Sequence, residues 1–320
     1  MARRPVIRPF RPEDAAGVAA VLLEVGHDGL VTAQGVRHYV ESLPGRAEAR
    51  FWVAIEDDEI VGWAPVRRKW SSDPNVVRVR AAVRVEARGR GTGSELWRLA
   101  EEYALSLRPR QLQSYVADDD AASRDFLERR GFRPARQTII SMLEVASCPA
   151  PAVPQDVTVY SVRGFPAGEH ALFDLYWTTE EDLPADQPHG RLSFEEWRYE
   201  TLEHPDLSRD GSFVALVDGV PVSFSFLQVD PARGTAWNEM TGTLPAYRGR
   251  GLARLVKSFS IRWAAENGLS RIFTGNDHEN APMLAVNRAL GYVPVKTFTD
   301  YVRAGREGTT ANTPSSMTRT

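Results

Sequence analysis

The sequence predicts an α/β protein made from one domain copied and fused, and three observations carry the prediction. Arg88-Gly89-Arg90-Gly91-Thr92-Gly93 opens an amphipathic run and reaches Gly131-Phe132, 43 residues after Arg88. Arg248-Gly249-Arg250-Gly251-Leu252-Ala253 repeats this 160 residues on and reaches Gly291-Tyr292 at the same interval. Each run follows an alternating hairpin, and three prolines crowd into Ser147–Pro154 between the copies. Proline removes a donor and fixes φ, so that stretch reads as an extended linker. The period is too long for a solenoid, whose units run to about 20–50 residues.

The elements follow in order. Val6-Ile7-Arg8 reads as a short strand and Pro12 to Val25 as a helix; Val157 to Tyr160 and Gly168 to Trp177 match them. Phe51–Ile55 and Ile60–Pro65 flank an acidic turn, as Phe213–Val217 and Val220–Leu227 flank Asp218-Gly219, and alternation around Asp-Gly is a hairpin signal. A further strand (Val76–Val85; Thr235–Thr243) runs into each glycine turn. In the helix after the second turn, Leu252, Leu255, Val256, Phe259 and Trp263 share a face, and Asn267-Gly268 stops it. Another strand (Gln111–Val116; Arg271–Thr274) and a short helix ending at Gly131 or Gly291 complete each copy. The expected divisions are a first domain over 1–146, a linker over 147–156, a second domain over 157–303 and a mobile tail over 304–320.

Composition narrows the function. At 320 residues the chain is about two domains long. A net charge of −3 gives no general attraction to nucleic acid or to an anionic membrane. The single cysteine, Cys148, forms no intrachain disulfide, and a cytoplasmic location is expected. No run approaches the ~18 apolar residues of a membrane helix. Six scattered histidines without His-x-x-x-His spacing point to no metal site.

The glycine turns carry the chemistry. A helix start leaves four N–H groups without partners at the positive end of the dipole. Glycines there let the backbone approach an anion and take φ > 0, which suits a pyrophosphate. No Gly-x4-Gly-Lys-Ser/Thr is present, and a hairpin precedes the loop where a dinucleotide fold needs a parallel βαβ unit. A second signal is Asn280-x-x-Met283-x-x-Val286-Asn287-x-x-x-Gly291-Tyr292, matched by Asp120-x-x-Ser123-x-x-Phe126-Leu127-x-x-x-Gly131-Phe132. Asn280 and Asp120 are N-cap types, and a plain cap competes evenly with a ligand role.

Together these motifs resemble the GCN5-related N-acetyltransferase (GNAT) superfamily, and the duplication resembles its tandem-domain members. The family's Gln/Arg-x-x-Gly-x-Gly/Ala loop matches Arg88-x-x-Gly91-x-Gly93 and Arg248-x-x-Gly251-x-Ala253. The resemblance covers both halves. It implies, in each, a mixed and mostly antiparallel sheet with splayed fourth and fifth strands, flanked by helices. It implies acetyl-CoA or another acyl-CoA as co-substrate, no metal, and direct attack of a small-molecule amine on the thioester. Backbone at Thr243 and Leu244 would hold the pantetheine arm and the thioester oxygen. Amides of Arg248, Gly249, Arg250, Gly251, Leu252 and Ala253 would hold the pyrophosphate, helped by Asn276 and Asn280. Val83 and Arg88, Gly89, Arg90, Gly91, Thr92 and Gly93 would do likewise in the first copy.

An amine of pKa near 10 is mostly protonated at pH 7, a handicap of roughly 4 kcal/mol, so a general base helps. Glu239, on the strand before the loop, is the candidate base, against the plainer reading of a solvated carboxylate. Family members commonly place a tyrosine acid four residues before the Gly-aromatic pair. Here Asn287 and Leu127 stand there; Asn287 donates a hydrogen bond but no proton, which leaves solvent, Tyr292 or Tyr301. Thr178 to Asp182, with Asp186 and His189, is an acidic run suited to a cationic acceptor or simply to solvation. Pro245, Asn276 and Asn280 favour the second copy as catalytic. The first replaces them with Val85, Ala117 or Asp118, and Asp120, whose charge would oppose an anion. The expected protein is a monomeric N-acetyltransferase whose duplication supplies an internal pseudo-dimer. The contrasting expectation is a non-catalytic acyl-CoA-binding protein.

Overall fold

The computed structural model describes residues 5–26, 29–145, 150–180 and 190–305. Cys148, Asp182, Asp186, His189 and the tail beyond 305 lie outside the described residues.

The first half runs β1 (Val6–Pro9), α1 (Ala15–Glu24), α2 (Ala33–Ser42), β2 (Arg50–Glu56), β3 (Glu59–Lys69), β4 (Asp73–Val79), β5 (Ala82–Val83), α3 (Thr92–Ser106), β6 (Gln111–Ala117), α4 (Ala121–Glu128) and β7 (Arg133–Glu144). The second runs β8 (Val157–Ser161), α5 (Gly168–Glu180), α6 (Phe194–Trp197), β9 (Phe213–Val217), β10 (Val220–Asp230), β11 (Thr235–Thr243), α7 (Leu252–Glu266), β12 (Arg271–Asp277), α8 (Ala281–Ala289) and β13 (Val293–Ala304). The hairpins fall where alternation placed them. The strand expected over Val76–Val85 is broken at Arg80-Ala81 into β4 and β5, whereas β11 is continuous. Helix α2 and the helical turn after α6 are absent from the elements read off the sequence.

Each half contains the splay. Pairing of β4 with β6 is parallel and ends at Arg78 opposite Gln113; pairing of β11 with β12 ends at Trp237 opposite Phe273. Both pairs of strands run on and diverge beyond those points.

The halves do not stand on separate sheets. Strand order is β1-β2-β3-β4-β6-β13-β7-β12-β11-β10-β9-β8, with β5 beside β3. The last strand of each half has crossed over. β13 pairs with β6, β7 pairs with β12, and the two exchanged strands pair with each other at the centre. Apolar burial follows the exchange. Tyr301 of β13 lies in the first half's core with Leu96, Trp97 and Phe132. Leu143 of β7 packs on the second half's Leu227, Ile261 and Ile272. Phe298, Ile140 and Ala117 seal the junction.

The two halves complete each other through their last strands. Expressed alone, residues 1–156 lose the strand that covers the whole of β6. A core edge without its partner leaves ladder groups and apolar surface unmet. We expect that fragment to lack a dispersed monomeric NMR spectrum, and to gain one on mixing with residues 157–320. A well-dispersed monomer from 1–156 alone would overturn this.

Candidate active site

The two glycine loops fold alike. Gly89, Gly91, Gly249 and Gly251 have φ of 74°, 91°, 77° and 78°, and a Cβ built at any of them meets nothing within 4 Å. Successive amides thus form a concave nest at the start of a 15-residue helix, α3 or α7, open to an incoming anion. Thr92 and Leu252 turn their side chains into the core, so only their backbone belongs to the nest. Arg88 Nε donates to the Val83 carbonyl (3.0 Å) and Arg248 Nε to that of Thr243 (3.1 Å), bracing each loop against the strand before it. Arg90 pairs with Glu56 and Arg250 with Asp156, so these two cations are partly compensated.

Next to the loop, Leu244 N–H donates to Val222 O at 2.9 Å and is already engaged in the sheet. Leu244 is therefore not the amide for a ligand. Strand alternation turns Thr243 the other way, toward the gap between β11 and β12. Arg84 and Val83 repeat this, with Arg84 N–H on Val61 O.

In the first half a cleft of about 390 Å³ runs from this nest into the splay, lined by Val83, Arg88, Gly89, Gly91 and Gly93 on one side and Asp120 and Leu127 on the other. Phe298, from the exchanged β13, closes its far wall. Asp120 caps α4, accepting from the Ser123 amide (3.0 Å) and hydroxyl (2.7 Å), with Arg88 3.9 Å away. Its charge is offset in part by these donors and by Arg88, which lessens the expected repulsion of an anion.

The second half fills the corresponding place differently. Thr274 Oγ1 donates to Asn238 O at 3.1 Å across the start of the gap. Asn280 caps α8 through Met283 N–H (3.2 Å), so the cap reading holds for it as for Asp120. Asn287 is buried and donates to Asn276 Oδ1 at 2.6 Å, while its own Oδ1 is buried without a partner. Lys257, off the helix face expected to be apolar, is buried beside Ile261 and Ala264 with Nζ 2.5 Å from Asn238 Oδ1 and 5.0 Å over the Tyr292 ring. Burial lowers its pKa to about 7. Tyr292 is buried too, and desolvation pushes its phenol well up, which disfavours a titrating role. Tyr301 is removed from the second copy altogether: strand exchange places it in the first half, 3.4 Å from Glu128.

Between the halves lies a chamber of about 730 Å³. Glu239 stands on its wall with Tyr176, Glu180 and Glu200 from the second half. Arg67, Arg78, Arg80 and Tyr115 face them from the first. Glu239 and Arg80 occupy the same register, two residues past the last paired position of their strands. Arg80, Ser114 and Tyr115 line both cleft and chamber, so the two spaces meet through the first half's splay. Sequence reading missed the arginine side of this chamber, because its residues come from β3 and β4 and converge only across the halves. Among the described residues no cluster suited to a metal is present, and no helix is long and apolar enough to cross a membrane.

At one end of the chamber His38 and His204 stack edge-on at 4.8 Å, and His204 Nδ1 accepts from the Asp206 amide at 3.2 Å. Asp206 in turn accepts from Thr32 and Gln34 across the seam. Burial lowers His204 to about 4, with Asp206 opposing and His38 reinforcing. A folded pKa below the unfolded value of about 6.5 means the unfolded chain binds the extra proton first. Stability is then full above pH 6.5 and falls toward pH 4, by up to roughly 3 kcal/mol. Urea midpoints at pH 7 and 5 should differ more for the natural protein than for His204→Asn, whose Oδ1 replaces the Nδ1 acceptor.

Fold and site define a class: a duplicated splayed-sheet protein with a positive-φ glycine turn at each of two helix starts and a gap between the strands that precede and follow each. The chain belongs to the acetyltransferase (GNAT) family, whose pattern matches at residues 30–132 and 170–292. Mycothiol acetyltransferase of Amycolatopsis mediterranei is 27% identical over 285 residues, covering 82% of this chain and 87% of that one. That of Rhodococcus erythropolis is 26% identical over 288 residues, covering 86% and 90%. Among solved structures, a GCN5-related N-acetyltransferase from Sphaerobacter thermophilus superposes with a TM-score of 0.71 at 21% identity, covering 96% and 98%. A tandem GNAT protein from the clavulanic acid biosynthesis pathway gives 0.73 at 19%, covering 95% and 99%. These last two likenesses concern the fold.

Proposed function

We propose that the protein is a cytoplasmic, acyl-CoA-dependent N-acyltransferase, most simply an N-acetyltransferase, that modifies a small primary amine by direct attack in a ternary complex. One observation supports this above the rest. Glu239 stands on the chamber wall, on the same strand as Thr243, whose amide faces the gap. The first copy has Arg80 at that register, which accepts no proton, so the second half is the productive one. Its nest residues Arg248 to Ala253 would hold the pyrophosphate, and the equivalent first-half cleft holds a second acyl-CoA. The bound co-substrate supplies an activated thioester. Glu239 takes one proton from the approaching ammonium, the neutral nitrogen bonds the acyl carbon and then gives its second proton to water, and Thr243 N–H donates to the thioester oxygen as charge develops there. Asn287 has no proton to give, so water protonates the leaving thiolate.

The test is release of free thiol from acetyl-CoA with a panel of primary amines at several pH values. Amine-dependent release that rises with pH is expected. Binding of acetyl-CoA without release for any amine would favour the non-catalytic reading, which the absent tyrosine at Leu127 and Asn287 supports.

A further inference from the structure

The chamber between the halves is divided by charge. On the first-half side Arg67, Arg78 and Arg80 project from β3 and from the end of β4; on the second-half side are Glu180, Glu200 and Glu239. Each guanidinium hydrogen-bonds a neutral partner: Arg67 to the Tyr39 hydroxyl (2.8 Å), Arg78 to Gln113 Oε1 (3.3 Å), and Arg80 to the Tyr115 hydroxyl. Gln113 passes its own amide to Asp300 at 2.9 Å, so that carboxylate acts on Arg78 from one residue away. Burial and the neighbouring Arg67 both weaken the hold of Arg78 on its charge, with Asp300 offsetting them in part. Arg67 already acts on Glu200, whose carboxyl is pushed up chiefly by burial; Arg78, desolvated beside a second cation, is the group that gains most when an anion arrives. Across the space, Glu180, Glu239 and Glu200 together disfavour ionisation of the Tyr176 phenol, after the larger effect of its burial. That wall favours a cation.

A ligand with one charge of each sign meets both demands. Resting on the acyltransfer reading, we propose that the acceptor is a small amine that also carries a carboxylate, held with its ammonium at Glu239 and its carboxylate at Arg78 and Arg67. Paired N–H donors of an arginine match a carboxylate's two oxygens, which fixes direction as well as adding affinity. The two walls also set a polarity for the reaction. An amino acid lying this way presents its amine to the face of the chamber formed by β11, the strand that leads to the second nest. A plain alkylamine satisfies only the acidic wall and leaves the arginine pair uncovered.

The test pairs amines with and without the carboxylate on the full-length protein: L-lysine against 1,5-diaminopentane, β-alanine against ethylamine, and γ-aminobutyrate against propylamine. Calorimetry without cofactor reads binding alone, so it answers for the chamber even where no acyl transfer occurs. Thiol release from acetyl-CoA, read separately, answers for the reaction. At least one carboxylated member should bind tenfold or more tighter than its counterpart. Arg78→Met should erase that preference, and Arg78→Lys should restore part of it. Arg67→Met, on the neighbouring strand, should reduce the same preference and guards against a folding defect in the first variant. Equal binding within every pair, no binding by any carboxylated amine, or a preference untouched by Arg78→Met and Arg67→Met would overturn the proposal.

Discussion

Gly251→Glu is expected to abolish acyl-CoA turnover and to weaken binding at the second nest about a thousandfold. The estimate follows from charge. A carboxylate brought to about 4 Å from a phosphate oxygen costs about 4 kcal/mol at the effective dielectric of a protein surface, which is about three decades in affinity. Nothing stands within 4 Å of the position a side chain would take there, so the new carboxylate enters the space meant for the ligand. Gly251 also sits at φ 78°, which a glutamate adopts with strain. Gly251→Asn separates the two effects, because asparagine visits that conformation readily and adds no charge; it should keep most of the affinity. Gly91→Glu tells the copies apart. Calorimetry that retains binding in Gly251→Glu and loses it in Gly91→Glu would move the productive site to the first half and its cleft of about 390 Å³.

Glu239→Gln should lower kcat by 10²–10⁴-fold near neutral pH, the usual contribution of general-base assistance. The amide keeps the shape of the side chain and removes the proton acceptor. The deficit should shrink as pH rises toward the amine's own pKa of about 10, because more acceptor then arrives neutral. Affinity for acetyl-CoA should barely change, since Glu239 faces the chamber and not the nest. An unaltered kcat with the same pH profile would reduce Glu239 to a structural residue. Transfer would then rest on proximity and the Thr243 amide.

The exchange of last strands adds a constraint to both experiments. Phe298 lines the first half's cleft although it belongs to the second half's final strand. A change in one half is therefore felt at the other's site, and each variant needs its fold checked across the whole chain.

Much was legible in the residues themselves. The duplication, the hairpins, the glycine nests and the caps at Asp120 and Asn280 depend on neighbours within a few positions, and local backbone chemistry fixes them. The Arg-x-x-Gly-x-Gly/Ala pattern carried the concave turn for the same reason: positive φ and a helix start are properties of adjacent residues. Other features were beyond reach of spacing. Leu244 and Thr243 are neighbours with opposite fates, decided by which one β10 engages. Tyr301 looked close to the second site in sequence and lies in the first half's core, because an edge of β6 and an edge of β12 are each covered by the other half's strand. Lys257 sits among apolar residues at helical spacing, and only the approach of Asn238 explains its burial. The chamber itself is assembled from both halves. The sequence by itself determined the elements of each copy and the positive-φ glycine turns at two helix starts. Tertiary structure decided which strands pair across the seam and set Arg67 and Arg78 opposite Glu239, since contacts between residues more than a hundred positions apart follow from burial and leave no local trace.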